Sequence, residues 1–280
     1  MMETLVNTDW LAGEIGASDV RIVDATLRLD GHNVAAAYEA EHIPGAVFMD
    51  LAGLTDTSNP SPYMLPSAEK FASRMQSLGL GDGSRIILYD DSPQKTSARA
   101  WWMLTNVFGA HNVAVLDGGF AKWKAEGRSV ENGKVTLRHR HFTVWRDDSG
   151  IRSIDQIRAN LATKAEQIVD ARGAGRFCGD EADPRAGVAA GHIPGSFNLP
   201  YDQMFNANGT YKQGDALKAA FTAIGIDWNK PVIASCGSGL TAATLVFAAH
   251  LLGKTDVSLY DGSWSEWGAQ ADTPKAKGAS

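Results

Sequence analysis

The sequence predicts an α/β protein made of two tandem domains, each with a mostly parallel sheet covered by helices on both faces. Short, wholly apolar runs recur along the chain, as expected of strands that are buried on both faces. Helical patterns separate these runs, and strands that alternate with helices favour parallel sheets. The order of the elements is also repeated in the two halves of the 280-residue chain.

Four short blocks occur in the same order in both halves, at nearly constant offsets. The pairs are 22–25 with 168–171, 42–48 with 192–198, 86–90 with 232–236, and 115–120 with 259–264. Such a pattern indicates a duplicated domain whose loops differ in length. We therefore predict a first domain at 1–137, a linker at 138–150 and a second domain at 151–280.

The individual elements follow from the apolar pattern within each half. The runs 21–23, 86–89 and 113–116, with their counterparts in the second half, predict buried strands. The segment 68–78 places its apolar residues on one helical face, whereas 241–252 is apolar nearly all round, as expected of a helix between two layers.

Composition excludes several classes of function. The net charge is −6 and no Lys/Arg block is present, so nothing indicates a nucleic-acid partner. The longest apolar stretches, 231–235 and 245–252, are much shorter than the roughly 18 to 20 residues of a membrane span. The first residues carry acids and no basic segment before an apolar one, so we expect a cytoplasmic protein without a membrane partner.

The metal-binding side chains are few and badly spaced. Two cysteines, Cys178 and Cys236, make neither a disulfide framework nor a four-thiolate zinc site. His139 and His141 lie in a basic, strand-like stretch, and no pair of ligands has helical metal-site spacing. No Gly-rich phosphate fingerprint follows an early strand, so we expect neither a metal nor a nucleotide cofactor.

Cys236 stands between a predicted strand and a predicted helix. The strand 231–235 ends at this cysteine, the loop Gly237-Ser238-Gly239-Leu240-Thr241 follows, and the helix begins near Ala242. A thiolate there would meet a helix N-terminus and several backbone N–H groups, an arrangement that lowers a thiol pKa. The glycines let the backbone curl around an anion, and Thr241 is placed to cap the helix. The alternative is a buried structural cysteine.

Two chemistries use a cysteine in such a loop. Cysteine phosphatases need an arginine six residues after the nucleophile to hold the phosphoryl oxygens, and this chain has Ala242 there. The loop therefore favours sulfur over phosphate.

Over nearly its full length the chain resembles the rhodanese family of sulfurtransferases. The resemblance rests on the two-copy layout, on His-Ile-Pro-Gly in each half, on Cys-Gly-Ser-Gly-Leu-Thr-Ala at 236–242 and on Tyr-Asp-Gly-Ser-Trp-Ser-Glu-Trp at 260–267. Thiosulfate-preferring members of the family typically carry Arg-Lys after the cysteine. The Gly237-Ser238 pair is closer to the 3-mercaptopyruvate sulfurtransferase branch.

The resemblance implies that Cys236 carries a persulfide and that Ser238 and the loop N–H groups stabilise charge on the substrate oxygen. It implies substrate binding by the remaining loop residues and by two arginines. These are Gly237, Gly239, Leu240, Thr241, Arg176 and Arg185. The second copy is longer than the first in the segment that holds Arg185, which agrees with a substrate role; solvated surface arginines are the alternative.

The expected reaction moves sulfane sulfur from 3-mercaptopyruvate to a thiol acceptor such as thioredoxin, or to cyanide, and releases pyruvate. Thiosulfate:cyanide sulfurtransfer is one alternative, and a non-catalytic module that carries a persulfide is another.

The first copy departs from the second where chemistry is expected. It has Asp90 at the position of Cys236 and is predicted to be catalytically silent. Ala52 and Tyr63 stand where some relatives carry an Asp and a His of a proton relay, so the proton donor to the leaving enolate is not identified.

Other chemically active side chains are expected to be structural. His42 and His192 occur once in each copy, the silent one included, which favours a fold-holding role over acid–base work. A plain structural thiol is favoured for Cys178 over a redox partner. Core or interdomain packing is expected of five tryptophans, Trp101, Trp102, Trp123, Trp264 and Trp267.

Overall fold

A computed structural model describes residues 2–279, which form two compact units. The first unit comprises the chain up to Thr55, Leu65–Asp147 and Phe205–Tyr211. The second comprises Asp56–Met64, Asp148–Met204 and the chain from Lys212 onward. Each unit therefore contains one short segment whose sequence neighbours belong to the other unit.

The first unit is built on a five-stranded parallel sheet with helices in the connections. Its strands are β1 (Leu5–Val6), β2 (Val20–Asp24), β3 (Val47–Phe48), β4 (Arg85–Tyr89) and β5 (Val113–Leu116), in the order β1-β5-β4-β2-β3. Its helices are α1 (Thr8–Glu14), α2 (Val34–Ala40), α3 (Ala68–Ser77), α4 (Ser97–Trp102), which continues as a π-helical turn at Met103–Val107, and α5 (Gly119–Ala125). The predicted helical face of α3 is confirmed, since Phe71 and Met75 are buried.

The second unit repeats this plan. Its strands are β6 (Ile151–Arg152), β7 (Gln167–Asp170), β8 (Phe197–Asn198), β9 (Val232–Ser235) and β10 (Val257–Tyr260), all parallel, in the order β6-β10-β9-β7-β8. Its helices are α6 (Ile154–Thr163), α7 (Ala174–Cys178), a 3-10 turn at Tyr201–Met204, α8 (Gly214–Thr222), α9 (Ala242–Leu251) and α10 (Ser263–Trp267). The predicted α/β class with two parallel sheets is confirmed.

The centre of the second sheet is its most buried part. All four residues of β9 are buried, and Ile233 is paired with Ile168 on one side and Ser258 on the other. Helix α9 is buried along most of its length, as its nearly uniform apolar sequence predicts. The five tryptophans expected to be packing residues are also buried. Cys236 therefore follows a strand that packing holds rigidly.

The segment Phe205–Tyr211 is the part of the second sequence copy that belongs to the first unit. The backbone N–H of Tyr211 donates to the Asp117 carboxylate at 2.8 Å, directly after β5. The Lys95 ammonium lies over the Phe205 ring, 5.5 Å from its centroid. An ordered segment from beyond residue 200 thus covers the carboxyl end of a strand in the first unit.

Within residues 2–279, no helix combines the length and the apolarity that a membrane crossing demands.

Candidate active site

The strand order of the second unit creates a crevice at one edge of its sheet. After β7 the chain adds β8 on one side, and then crosses back to add β9 on the other side. The connections that follow β7 and β9 therefore run to opposite sides and leave a crevice between the carboxyl ends of these two strands. In open α/β sheets, ligands bind in such a crevice. β9 leads into the Cys236 loop and β7 leads into α7, which carries Arg176.

Cys236 lies at the base of this loop and is 1% exposed. Ser238 and Leu240 are also buried, at 3% each. Gly239 adopts a φ of +76°, a left-handed conformation that side chains with a Cβ rarely take. This glycine lets the chain double back above the cysteine before α9 begins.

Four backbone N–H groups of the loop have no hydrogen-bond acceptor anywhere in residues 2–279. They belong to Gly237, Ser238, Leu240 and Thr241. Because they precede the helix, no intrahelical carbonyl is available to them. Such N–H groups at the N-terminal end of a buried helix form a concavity suited to an anion or to an oxygen that gains negative charge.

The N–H group of Gly239 behaves differently from its neighbours. It donates to the hydroxyl oxygen of Ser263 at 3.1 Å, and the N–H group of Cys236 donates to the same oxygen at 3.1 Å. The Ser263 hydroxyl in turn donates to the Tyr260 carbonyl at 2.7 Å. Its oxygen also lies 4.0 Å from Cys236 Sγ, so this serine supports the loop from the α10 side.

Two further backbone bonds attach the loop to α10. The Cys236 carbonyl accepts the N–H of Trp264 at 3.0 Å, and the Gly237 carbonyl accepts the N–H of Ser265 at 2.8 Å. The Trp264 ring lies under the Arg172 guanidinium, 4.6 Å from the ring centroid. The geometry of the loop is therefore fixed by residues about 27 positions later in the chain.

Arg172 completes the buried support of this region. Its guanidinium is 1% exposed, pairs with the Asp170 carboxylate at 2.7 Å and donates to the Gly191 carbonyl at 2.8 Å. A nearby buried hydroxyl is also fixed by its environment: burial and the Glu266 carboxylate raise the pKa of Tyr260, which donates to that carboxylate at 2.7 Å.

Arg176 and Arg185 both reach the Cys236 loop. A Cβ placed on Gly237 would lie 3.1 Å from Nη2 of Arg185 and 3.9 Å from Nη1 of Arg176. The glycine therefore leaves room for two guanidinium groups directly above the residue that follows the cysteine. A planar carboxylate is the natural partner of such a pair, because guanidinium groups bind it with two parallel hydrogen bonds.

His192 anchors the helix that presents Arg176. Its ring stacks on Phe177 with centroids 3.8 Å apart, and its Nδ1 lies 2.9 Å from the Phe177 carbonyl oxygen. In the first unit His42 makes the same kind of contact, stacking on Tyr38 at 4.3 Å with Nδ1 2.8 Å from the Tyr38 carbonyl. These paired contacts favour the fold-holding interpretation of both histidines.

The first unit closes the corresponding loop with a carboxylate. One Asp90 oxygen accepts the N–H and the hydroxyl of Ser92, each at 3.0 Å, and the other accepts the N–H of Ser97 at 2.9 Å. Gly119 occupies the position of Ser263, and a Cβ there would lie 2.5 Å from the Asp90 carbonyl oxygen. The N–H groups of Ser92, Thr96 and Ser97 are thus paired within the loop, and a side chain at position 119 would clash with the Asp90 carbonyl.

One detail of the loop differs from expectation. Thr241 precedes α9 as predicted, but its side chain makes no capping hydrogen bond. The physical reason is its backbone, which is already helical (φ −77°, ψ −17°), whereas a capping side chain needs an extended residue.

The remaining predicted residues lie apart from the loop contacts. Cys178 ends α7 as a free, partly exposed thiol, and its carbonyl accepts the N–H of Gly278 at 2.8 Å. Ala52 is exposed in the first unit, and Tyr63, with a φ of +62°, lies in the segment of the second unit that comes from the first copy. Among residues 2–279 no three His, Cys, Asp or Glu side chains are grouped as metal ligands.

Two supporting residues were missed at the sequence level, Ser263 and Asp183. The signal for Ser263 was present in the repeat, because the serine replaces a glycine of the other copy. Asp183, whose carboxylate contacts Arg185, lies in the insertion of the second copy, where no counterpart exists for comparison.

Comparison with known proteins agrees with this architecture. The family model described as a rhodanese-like domain matches residues 7–126 and 153–270. A 3-mercaptopyruvate sulfurtransferase of Escherichia coli K12 is 40% identical over 272 residues, which cover 96% of each chain. A thiosulfate sulfurtransferase of Cricetulus griseus is 37% identical over 279 residues, 97% of this chain and 94% of that one.

Solved structures give the same result. The crystal structure of SseA from Escherichia coli, described as a 3-mercaptopyruvate sulfotransferase with a rhodanese fold, is 37% identical. It superimposes with a TM-score of 0.86 and covers 95% of this chain and 100% of its own. Repeat, sheet order and matched sequence together establish that the chain belongs to the rhodanese family, with one rhodanese-like domain in each half.

Proposed function

We propose that this protein is a sulfurtransferase that moves sulfane sulfur from 3-mercaptopyruvate to a thiol acceptor or to cyanide through a persulfide on Cys236. The observation that carries the proposal is the combination of a buried cysteine, four unpaired loop N–H groups and two guanidinium groups above Gly237. The names of the relatives that match nearly the whole chain support the same activity.

In the first half-reaction the Cys236 thiolate attacks the sulfur of 3-mercaptopyruvate. A sulfur–sulfur bond forms and the sulfur–carbon bond breaks, and its electron pair leaves with carbon as the enolate of pyruvate. Negative charge develops on the former carbonyl oxygen, where Ser238 and the loop N–H groups stabilise it. The enolate then takes a proton and leaves as pyruvate.

Arg176 and Arg185 hold the carboxylate of the donor during this step. Fixing one end of a small substrate aligns its sulfur with the cysteine and lowers the entropic part of the barrier. In the second half-reaction a thiolate, from thioredoxin or a small thiol, or cyanide attacks the outer sulfur. The Cys236 thiolate is the leaving group, so the cycle needs no cofactor. The first copy, with Asp90 in place of the cysteine, takes no part in the chemistry.

Thiosulfate is the second candidate donor, because a thiosulfate sulfurtransferase is among the relatives at similar identity. The loop itself favours mercaptopyruvate. It offers Gly237 and Ser238, and therefore no cation within the loop, whereas a compact dianion is best matched by a point-charge ammonium.

Steady-state kinetics with both donors and cyanide as the common acceptor tests the proposal. We expect thiocyanate from both donors and a higher kcat/KM with mercaptopyruvate, accompanied by an equal amount of pyruvate. A higher kcat/KM with thiosulfate contradicts the donor assignment, and absence of turnover with either donor favours a module that only carries a persulfide. The cytoplasmic location remains part of this proposal, and fractionation of the cells that produce the protein tests it.

A further inference from the structure

Asp183 is an acidic side chain that contacts Arg185, one of the two arginines of the site. Its side chain is only 1% exposed, and its Oδ1 accepts the backbone N–H of Arg185 at 3.0 Å. The same carboxylate lies 3.1 Å and 3.3 Å from Nη1 of Arg185. A buried carboxylate with three contacts to one residue fixes both the backbone and the guanidinium of that residue.

The pairing uses only one end of the Arg185 guanidinium. Nη1 faces Asp183, whereas Nη2 is the atom nearest to the position that a Cβ on Gly237 would occupy, 3.1 Å away. The free end of the group is therefore held over the loop, 25% of the side chain remaining exposed. Preorganisation of this kind removes the entropic cost of ordering a long side chain when substrate binds.

Arg176 stands in contrast to Arg185. Its guanidinium makes no hydrogen bond and no ion pair with any group of residues 2–279. The three side chains Arg176, Arg185 and Asp183 therefore bring two positive charges and one negative charge to the loop. Asp180 and Glu181, two other acids of this segment, are exposed, so solvent screens their charges.

We propose that Asp183 is a positioning residue that also sets donor specificity: it fixes Arg185 and, by its charge, favours a donor with one negative charge over a dianion. This inference rests on the proposed function. Mercaptopyruvate brings one carboxylate, whereas thiosulfate is a dianion that Asp183 repels more strongly. Specificity is a difference between two affinities, and a fixed like charge raises that difference by weakening the unwanted complex.

Three substitutions separate the charge of Asp183 from its hydrogen bonds. Asp183→Asn retains Oδ1, which accepts the backbone N–H and Nη1 of Arg185, but removes the charge. We expect it to raise kcat/KM for thiosulfate relative to mercaptopyruvate about five- to tenfold, the effect of one unit charge at close range in a partly hydrated site. We also expect a steeper fall of the thiosulfate rate with added salt. Asp183→Ala should lower kcat/KM for both donors, and Asp183→Glu should keep the native ratio.

Asp227→Asn is the matched control. Asp227 is exposed and exchanges hydrogen bonds with Gln167 at the start of β7, the sheet edge opposite Cys236. The Asp227→Asn substitution removes the same charge from the protein and should leave the ratio of kcat/KM for the two donors unchanged. If Asp183→Asn leaves the ratio and the salt dependence as in the native protein, or changes them no more than the control does, Asp183 only supports the fold and the inference is wrong.

A second measurement does not depend on turnover. Pyruvate, a monoanion, and sulfate, a dianion, are compared as agents that protect Cys236 from alkylation. Asp183→Asn should strengthen protection by sulfate relative to pyruvate by a similar factor, and an unchanged ratio contradicts the inference even if the donor is neither mercaptopyruvate nor thiosulfate. A native protein that releases no pyruvate from mercaptopyruvate contradicts the proposed function instead.

Discussion

The hydroxyl oxygen of Ser263 accepts the backbone N–H of Cys236 at 3.1 Å. Ser263 makes this contact with a φ of +49°, although non-glycine residues in the left-handed region are disfavoured. The corresponding Gly119 of the first unit has a φ of +58°. The copy with the cysteine thus keeps a strained backbone and adds a side-chain oxygen that accepts two N–H groups of its loop.

Replacing Ser263 should separate these two effects. Ser263→Ala and Ser263→Gly both remove the acceptor of the Cys236 and Gly239 N–H groups, so both should lower kcat by one to two orders of magnitude. Ser263→Gly should unfold at a higher temperature than Ser263→Ala, since glycine relieves roughly 1 kcal/mol of backbone strain. Thermal melts and steady-state rates check this, and native kcat in both variants would show that the loop does not need the hydroxyl.

Cys236 should be the residue that takes up sulfur. Incubation with a donor in the absence of acceptor should add the mass of one sulfur atom to the protein, as seen by intact mass spectrometry. Cys236→Ser should abolish this addition together with turnover, because serine is not a nucleophile of comparable strength. The matched control, Cys178→Ser, should retain most activity. The assignment is reversed if only the Cys178 variant is inactive.

Loss of one substrate arginine should affect the two donors unequally. A charge-assisted hydrogen bond contributes roughly 1.5 to 3 kcal/mol, so Arg176→Ala or Arg185→Ala should each lower kcat/KM for mercaptopyruvate about tenfold to a hundredfold. The decrease for thiosulfate should be smaller with Arg185→Ala, because the two parallel hydrogen bonds to a planar carboxylate, which thiosulfate lacks, contribute more than the charge of the guanidinium. Equal decreases of kcat/KM for both donors would mean that Arg185 contributes only to the electrostatic potential of the site or to the stability of the fold.

The opposite change places cations in the loop. Gly237→Arg with Ser238→Lys introduces the residue pair of thiosulfate-preferring relatives and should move the donor ratio toward thiosulfate. Because a Cβ at 237 would lie 3.1 Å from Nη2 of Arg185, this variant should also displace that guanidinium and reduce mercaptopyruvate turnover. Gly237→Ala, which adds the Cβ without charge, is the control for crowding.

A cysteine introduced at position 90 should remain unreactive. Asp90 uses both carboxylate oxygens within its own loop. Gly119, which stands in the place of Ser263, has no hydroxyl that could accept backbone N–H groups of that loop. Alkylation of Asp90→Cys in a Cys236→Ser background should therefore be much slower at neutral pH than alkylation of Cys236 in the native protein. Equal rates would show that the strand end alone activates a thiol.

Asp24 and Asp170 end matching strands in opposite environments. Burial, with a smaller effect of Asp90, raises the pKa of Asp24 to about 6, whereas Asp170 pairs with Arg172 at 2.7 Å. The folded state binds the Asp24 proton more tightly than the unfolded chain, whose carboxyl titrates near 3.8. The contribution of protonated Asp24 to stability is therefore complete below about pH 3.8, the pKa of the unfolded chain, and is lost as pH rises through about 6.

Asp24→Asn should consequently stabilise the protein at pH 8 by up to about 3 kcal/mol and give no such gain below pH 4. Urea titrations of both proteins at several pH values measure the difference. Asp170→Asn should instead destabilise at pH 8 by about 3 kcal/mol or more, since it leaves the buried Arg172 charge without its partner. A stabilising effect of both substitutions at pH 8 would contradict this account.

The fold could be derived from the sequence because local signals and the duplication agree. Apolar runs of four or five residues mark β4 and β9, and the repeat aligns Asp90 with Cys236 before any coordinates are known. The repeat marks Ser263 as a position that differs between the copies, but the contacts that support the site could not be derived in this way. The bond from Cys236 to Ser263 joins residues 27 positions apart, and the capping role expected of Thr241 failed because the backbone had already become helical. Tertiary contacts, rather than local propensity, decide both.

The exchanged segments have a consequence for how the chain is synthesised. The first unit lacks Phe205–Tyr211, and with it the donor to Asp117, until more than two hundred residues have been translated. Domains generally fold as they leave the ribosome, the N-terminal one first. Here the first unit cannot form all of its contacts until Phe205–Tyr211, a segment of the second half, has been synthesised. Genes that encode either half alone would produce chains that each miss a part the other supplies.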